Sequence, residues 1–196
     1  KEADIEKVVH MSALGAEAKT DNMYHKTKYL AEERVKENGL SYTIFRPSAI
    51  FGLGAELIET LITLVKLPII PVIGSGEYKL QPVSVKTVCQ VFTQALSRQV
   101  TDNQIYEVGG PQALTYNQIL DIIADILDSS IFKFHQPLWL VEPIINTFGN
   151  LSLLPITPEQ LDMLLKENVC QNPEQLDKDF DVAKVYLKEG LKETLI

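Results

Sequence analysis

The sequence predicts an α/β protein built on a parallel, doubly wound sheet, and three observations carry that expectation. Short β-branched runs alternate with amphipathic helical stretches. Asparagine and glycine follow the first of those helices. The strands run out into small residues, proline or glycine, which is where such sheets expose ligand-binding groups.

The first predicted element is Val8-Val9-His10-Met11-Ser12-Ala13, a buried strand that follows a charged stretch and ends before Gly15. Asp21 or Asn22 then caps a helix running to about Asn38, with Met23, Leu30, Ala31 and Val35 on one apolar stripe and Asn38-Gly39 as the stop. Leu40 to Pro47 reads as a second strand because alternating and aromatic residues run up to a proline that ends ladder pairing. The resulting β-α-β unit is what favours a parallel sheet.

An apolar helix is expected from Ala55 to about Lys66, broken by Pro68 and Pro71 before Ile73-Gly74-Ser75-Gly76 turns the chain into an irregular region. Pro82-Val83-Ser84-Val85 is a short strand leading into a helix from about Lys86 to Arg98. Gln104 to Val108 is a further strand, closed by Gly109-Gly110-Pro111. Thr115 and Gln118 have the spacing of a capping box that opens a helix to Asp128, and Thr157-Pro158-Glu159-Gln160 repeats the signal with proline at the first helical position. Between them, Pro137 to Pro155 carries Glu142 as its one charge and reads as a short helix with a loop.

Composition bounds the function. With 196 residues, 45% apolar and 22% charged, the chain is long enough for one globular domain plus a subdomain. A net charge of −8 argues against nucleic acid and anionic membrane surfaces as partners. Cys89 and Cys170 match no metal-ligand or disulfide framework, so a reducing, cytoplasmic setting is expected. The opening Lys1 to Lys7 lacks the apolar core of a signal peptide, and no stretch reaches the roughly 18 apolar residues of a membrane span. His10, His25 and His135 have no ligand spacing, so no metal is expected. Asp177, Asp179 and Asp181 read as a solvated acidic turn rather than a calcium loop.

The chemistry-bearing constellation lies on the first helix. Tyr24 and Lys28 are four apart, so a phenol and an ammonium project from one face a turn apart. A nearby cation favours the tyrosinate and lowers a pKa that starts near ~10, which suits a general acid/base. A solvated helix face produces the same spacing, so neighbours must decide. Ser12, at the carboxyl end of the first strand, offers a hydroxyl to a reacting oxygen, although a strand-end serine that caps a turn looks the same.

Taken in order, these segments resemble the short-chain dehydrogenase/reductase superfamily, in its extended and atypical branches. Val9 to Ala13 is similar to the family's serine-bearing strand, Tyr24 to Lys28 to its Tyr-x-x-x-Lys helix, and Tyr42 to Gly52 to the strand with an Arg-Pro turn. Gln81 to Val85, Tyr106 to Pro111 and Leu114-Thr115 continue the likeness. Within the family the sequence looks most like the group related to the nucleotide-binding accessory subunit of respiratory complex I, often described as nucleoside-diphosphate-sugar epimerases. The resemblance implies the second half of a Rossmann-like sheet in residues 1–54 and a mainly helical substrate subdomain in residues 55–196, with strands at about 81–108 returning to the sheet. It implies Ser12, Tyr24 and Lys28 as the catalytic set, and Met11, Ser12, Tyr24, Lys28, Pro47 and Ser48 along a bound NAD or NADP.

The family's glycine-rich pyrophosphate turn has no counterpart here. Gly52-Leu53-Gly54 and Gly74-Ser75-Gly76 lack the strand-turn-helix setting and read as loops. The expectation is therefore a fragment lacking roughly 100 upstream residues, on the scale of four β-α repeats. Its exposed sheet edge would invite a homo-oligomer or another partner. The choice between NAD and NADP would lie in that upstream part. Leu57 to Val65 and Leu138 to Ile145 are apolar enough to pack as core, to line a pocket for a hydrophobic substrate, or to meet a membrane complex. Two functions are expected from the resemblance. One is a NAD(P)-dependent oxidoreductase or nucleotide-sugar epimerase acting on a hydroxyl or carbonyl. The other is a non-catalytic NAD(P)H-binding subunit or assembly factor, peripheral to a complex I-like membrane complex.

Overall fold

A computed structural model describes residues 4–148 and 158–195. The first unit is β1 (Lys7–Met11), α1 (Met23–Glu37) and β2 (Ser41–Pro47), as the alternating pattern predicts. The Asn22 side chain accepts the His25 N–H at 3.2 Å and so caps α1. Gly39, at φ +75°, turns the chain back toward β2 in a conformation that a side chain would strain.

Next come β3 (Ile50–Phe51), α2 (Glu56–Val65), β4 (Ile69–Ile73), β5 (Lys79–Leu80), β6 (Val83–Ser84), α3 (Val85–Ala95) and β7 (Gln104–Val108). They are followed by β8 (Leu114–Thr115), α4 (Tyr116–Ile126), β9 (Phe132–Gln136), α5 (Leu138–Phe148), α6 (Pro158–Leu165), α7 (Pro173–Asp179) and α8 (Leu187–Leu195). Both halves of the Thr115–Gln118 capping box are formed. The equivalent signal at Thr157 lies outside the described residues, as does the end of the Pro137–Pro155 stretch beyond α5.

β2 is the centre of a parallel sheet, β1-β2-β7, with Val9 opposite Thr43 and Phe45 opposite Tyr106. Parallel pairing puts all three carboxyl ends on one side, which decides where a site can form. One core lies against this sheet. Phe45, Val83, Val88, Val91 and Tyr106 are buried there, and the Phe45 and Phe92 rings stand 4.9 Å apart. A second core gathers Leu61, Ile70, Val72, Ile119, Leu120, Ile123 and Leu191 between α2, β4, α4 and α8.

Three readings of the sequence need correction. The region around Pro71 is not irregular: β4 pairs in parallel with β9, Pro71 opposite Phe134. Gly74 N–H donates to Gln136 O at 2.8 Å and Phe132 N–H to Pro68 O at 3.4 Å, so even-numbered positions of β4 face β9. Pro71, which has no N–H, therefore points away from the ladder, the position in which a strand tolerates proline. Next, Asp177 and Asp179 belong to the helix α7, and Asp179 accepts the buried Tyr106 hydroxyl at 2.8 Å. Finally, the apolar stripe assigned to α1 has the wrong phase. Met23 and Leu30 are exposed, and the residues of α1 that are buried are His25 and Glu32, two turns apart. Among the described residues no helix is long and apolar enough to cross a membrane.

Candidate functional site at the carboxyl ends of the parallel strands

Ser12 follows β1 and is almost wholly buried, its N–H donating to Phe45 O at 2.7 Å. Its hydroxyl donates to Glu32 Oε1 at 2.5 Å. The same carboxylate, with 0% exposure, receives Arg46 Nε at 2.8 Å and Nη2 at 2.6 Å. Burial pushes the Glu32 carboxyl up, but hydrogen bonds from Arg46 and Ser12 and the charges of Arg46 and Lys36 outweigh it, so the group titrates below its usual range. An ionised carboxylate is an acceptor only, so the Ser12 proton is committed to it. Ser12 thus links β1, α1 and β2. Sequence reasoning missed Glu32 and Arg46. The readable signal was an arginine inside an apolar strand facing a helix whose inward positions are polar.

Tyr24 and Lys28 stay open at the same end of the sheet. Lys28 Nζ stands 5.7 Å from the centroid of the Tyr24 ring and 3.4 Å from the Met11 carbonyl oxygen at the end of β1. Met11 and Tyr24 are exposed, and the phenol has no hydrogen-bonding partner among the described residues. The expected lowering of the Tyr24 pKa is not found. Burial raises it, and the ammonium lies over the ring rather than beside the hydroxyl.

Pro47 and Ser48 end β2 and are both buried. The Pro47 carbonyl accepts the Leu14 N–H at 2.9 Å, and Ser48 N–H donates to Val108 O at 3.0 Å. The Ser48 hydroxyl is engaged by Asn168, whose carbonyl oxygen lies 3.0 Å away and whose side-chain oxygen is also in contact. The structure therefore brings Met11, Ser12 and Lys28 to the end of β1 and Pro47 and Ser48 to the end of β2. It leaves Met11, Tyr24 and Lys28 facing outward.

A strap from Asp162 to Asn172 crosses these ends. Asn22 Nδ2 donates to Asp162 Oδ2 at 3.1 Å beside the start of α1. Gln81 N–H donates to Asn168 O at 3.0 Å, and Cys170 N–H donates to Gln81 Oε1 at 2.8 Å. Glu107 Oε2 at the end of β7 accepts the N–H groups of Gln171 at 2.6 Å and Asn172 at 3.1 Å. A Cβ on Gly109 would stand 2.7 Å from Cys170 Sγ and 2.6 Å from Gln81, so the strap's close seating requires glycine there. Burial pushes the Cys170 thiol up to about 12, which leaves it inert as a nucleophile. A cleft of about 200 Å³ opens between the end of β7 and α7 with the following segment 182–185, with Gln81, Glu107, Gly110 and Lys184 among its lining.

The outward set fits part of a dinucleotide. An ammonium and a phenol one turn apart are donors suited to ribose hydroxyls. A pyrophosphate needs a run of backbone N–H groups at a helix N-terminus, and the two glycine pairs do not supply it. Contrary to the sequence reading, Gly52 and Gly54 do stand in a strand-turn-helix, between β3 and α2, but β3 pairs with β6 outside the sheet β1-β2-β7 and Leu57 stands where a third glycine would; Gly74 and Gly76 lie between β4 and β5.

No protein-family model matches the chain. Among curated proteins it is 30% identical over 125 residues to the mitochondrial NADH dehydrogenase [ubiquinone] 1 alpha subcomplex subunit 9 of Arabidopsis thaliana, covering 63% of this chain and 31% of that protein. It is 24% identical over 185 residues to the NADH-ubiquinone oxidoreductase 40 kDa subunit of Neurospora crassa, covering 91% of this chain and 47% of that one. The chain thus spans less than half the length of these relatives. Among solved structures, the UDP-glucose 4-epimerase of Thermotoga maritima superposes with a TM-score of 0.68 at 20% identity, over 98% of this chain and 63% of that one. By sequence the chain is similar to these complex I subunits over part of their length, and it shares its fold with the solved nucleotide-sugar epimerase.

Proposed function

We propose that the chain is the ribose-holding part of an NAD(P)(H)-binding subunit or assembly factor of a complex I-like membrane complex, in which bound dinucleotide serves structure rather than turnover. The observation that carries this reading is the fate of Ser12, whose hydroxyl is given to Glu32 inside the protein. Without that hydroxyl, and with a phenol that burial pushes up rather than down, the Ser-Tyr-Lys set is not poised for proton transfer near neutral pH. The relatives named as NADH dehydrogenase subunits support the same reading. Lys28 and Tyr24 would bind ribose hydroxyls, with Met11 and the Pro47–Ser48 turn lining the nicotinamide end. When bound, the dinucleotide would supply hydride chemistry in principle, and here it would chiefly order the strand ends. Residues 1–54 would belong to the dinucleotide side and residues 55–196 to the substrate side. The complex would lie peripheral to a membrane, in a reducing, cytoplasm-like compartment.

The second reading is an enzyme. The outward Tyr24–Lys28 pair favours it, and so do solved structures of this fold that hold NAD beside UDP-sugar ligands. Its substrate would carry a hydroxyl or carbonyl on a nucleotide sugar or a hydrophobic molecule. Titration of NADH and NADPH, followed by cofactor fluorescence, against this chain and a version extended upstream separates the two readings. Binding that weakens at least tenfold in Lys28→Met, with no turnover on UDP-sugars, is the expected result. Turnover that is lost in Tyr24→Phe would overturn the proposal in favour of the enzyme.

A further inference from the structure

His25 is the buried residue nearest the start of α1, and it is 6% exposed with Nε2 lacking a hydrogen-bonding partner among the described residues. Its ring is packed closely enough that a Cβ on Gly15 would stand 3.0 Å from it. The charged groups that act on it come from two sides. Asp162 and Lys166 belong to the strap, and Glu17 lies in the loop between β1 and α1. The Tyr24 ring lies beside it, centroids 5.6 Å apart. Asp162 in turn holds Lys166 at 3.0 Å and, at 3.1 Å, Asn22, whose side chain accepts the His25 N–H, so the strap's first anchor is tied to the turn that carries the histidine.

We propose that His25 and the strap from Asp162 to Asn172 form a proton-sensitive latch over the carboxyl ends of β1, β2 and β7, in which proton uptake by His25 unseats the strap. Burial, then the Lys166 charge, outweighs Asp162 and Glu17 and keeps the imidazole neutral below its usual range. The seated state therefore disfavours the imidazolium, and an opened strap lets His25 titrate near its ordinary value of about 6.5. The sign follows: the histidine's contribution to seating is complete above that value and is lost as pH falls below it. Asp162 does not provide this response in the same range, because hydrogen bonds from Lys166 and Asn22 hold its carboxyl below the usual range against burial. The other anchors, Ser48 to Asn168 and Glu107 to Gln171 and Asn172, would let the strap reseat in register. The consequence for ligands rests on the dinucleotide site proposed above, since the strap crosses the strand ends that flank it. The latch itself does not rest on that site.

The test is hydrogen exchange of the strap amides in the whole chain without added ligand, corrected for intrinsic rates. One proton taken up by a group of ordinary pKa raises the open population by about tenfold between pH 7.5 and 5.5. Wild type is expected to show that rise in residues 162–172. His25→Gln is expected to abolish the pH dependence, and Asp162→Asn to raise exchange at both pH values while keeping it. A flat wild-type profile, or an undiminished slope in His25→Gln, overturns the proposal. Should His25→Gln fail to fold, an NMR titration of His25 in the unaltered chain decides. A midpoint below 6.5 supports the latch, and one at or above it overturns it. Failure of NADH to bind leaves these readouts unchanged and counts against the dinucleotide reading alone.

Discussion

The two faces of α1 each carry a pair of polar groups, Tyr24 and Lys28 four residues apart and His25 and Glu32 seven apart, and give them opposite fates. Tyr24 and Lys28 look outward, Lys28 against the Tyr24 ring and the Met11 carbonyl, and Tyr24 beside His25. Glu32, one turn after Lys28, looks inward and is fully buried with Arg46 and Ser12 bound to it. Helical periodicity fixes which side chains share a face but not whether that face meets water. What distinguishes them is the partner on the sheet. A buried carboxylate persists only where a cation and further donors meet it, and β1 and β2 supply both from Ser12 and Arg46.

The largest expected effect breaks the inner face. Glu32→Ala leaves the Arg46 guanidinium, 23% exposed, without its counter-charge, and should cost about 3–5 kcal/mol in urea unfolding. Lys28→Ala on the outer face should stay within about 0.5 kcal/mol. Equal losses would mean that the two faces do not differ as described. Acid should act on the inner face too. The Glu32 carboxyl is depressed in the folded chain, so the stability it provides is present above its unfolded pKa near ~4.3 and is lost as pH falls through the lower folded value. The urea midpoint of wild type should fall more steeply than that of Glu32→Gln between pH 5 and 3.

A smaller effect sharpens the assignment of Ser12. Ser12→Ala removes one of the donors to a carboxylate that keeps Arg46, and should cost about 1–2 kcal/mol. NADH affinity, measured beside it, should not change. A variant of wild-type stability with weakened NADH binding would instead place the hydroxyl in the ligand site.

Much of the fold was readable because its signals are local. Asn22, Asn38-Gly39, Thr115 and Gln118 mark helix ends through backbone geometry a few residues long, and the alternation from Val8 to Pro47 marks the β-α-β unit. The β4–β9 pairing was hidden because it joins Ile69–Ile73 to Phe132–Gln136 across the whole of α3, β7 and α4, and because Pro71 argues against a strand unless its free edge is known. Of the site, the Tyr24–Lys28 pair was legible from helix spacing. The direction of the Ser12 hydroxyl was not, since it depends on Glu32 and on Arg46 farther along the chain. Carboxylates are so commonly solvated that spacing alone does not suggest a buried one.

The smallest expected effect bears on chemistry. Spacing alone predicts that Lys28 lowers the Tyr24 pKa, whereas the structure gives burial as the cause of a rise. An ammonium over the ring face, 5.7 Å from the centroid, is attracted by the ring's negative face. It is not positioned to stabilise the phenolate oxygen. The Tyr24 midpoint, followed by NMR on ring-labelled tyrosine, should therefore lie above ~10, and Lys28→Met should move it by less than about half a unit. A midpoint well below ~10 that returns upward in Lys28→Met would show an activated phenol. The outer face would then be catalytic, and its contrast with the sealed inner face would be one between proton transfer and structure.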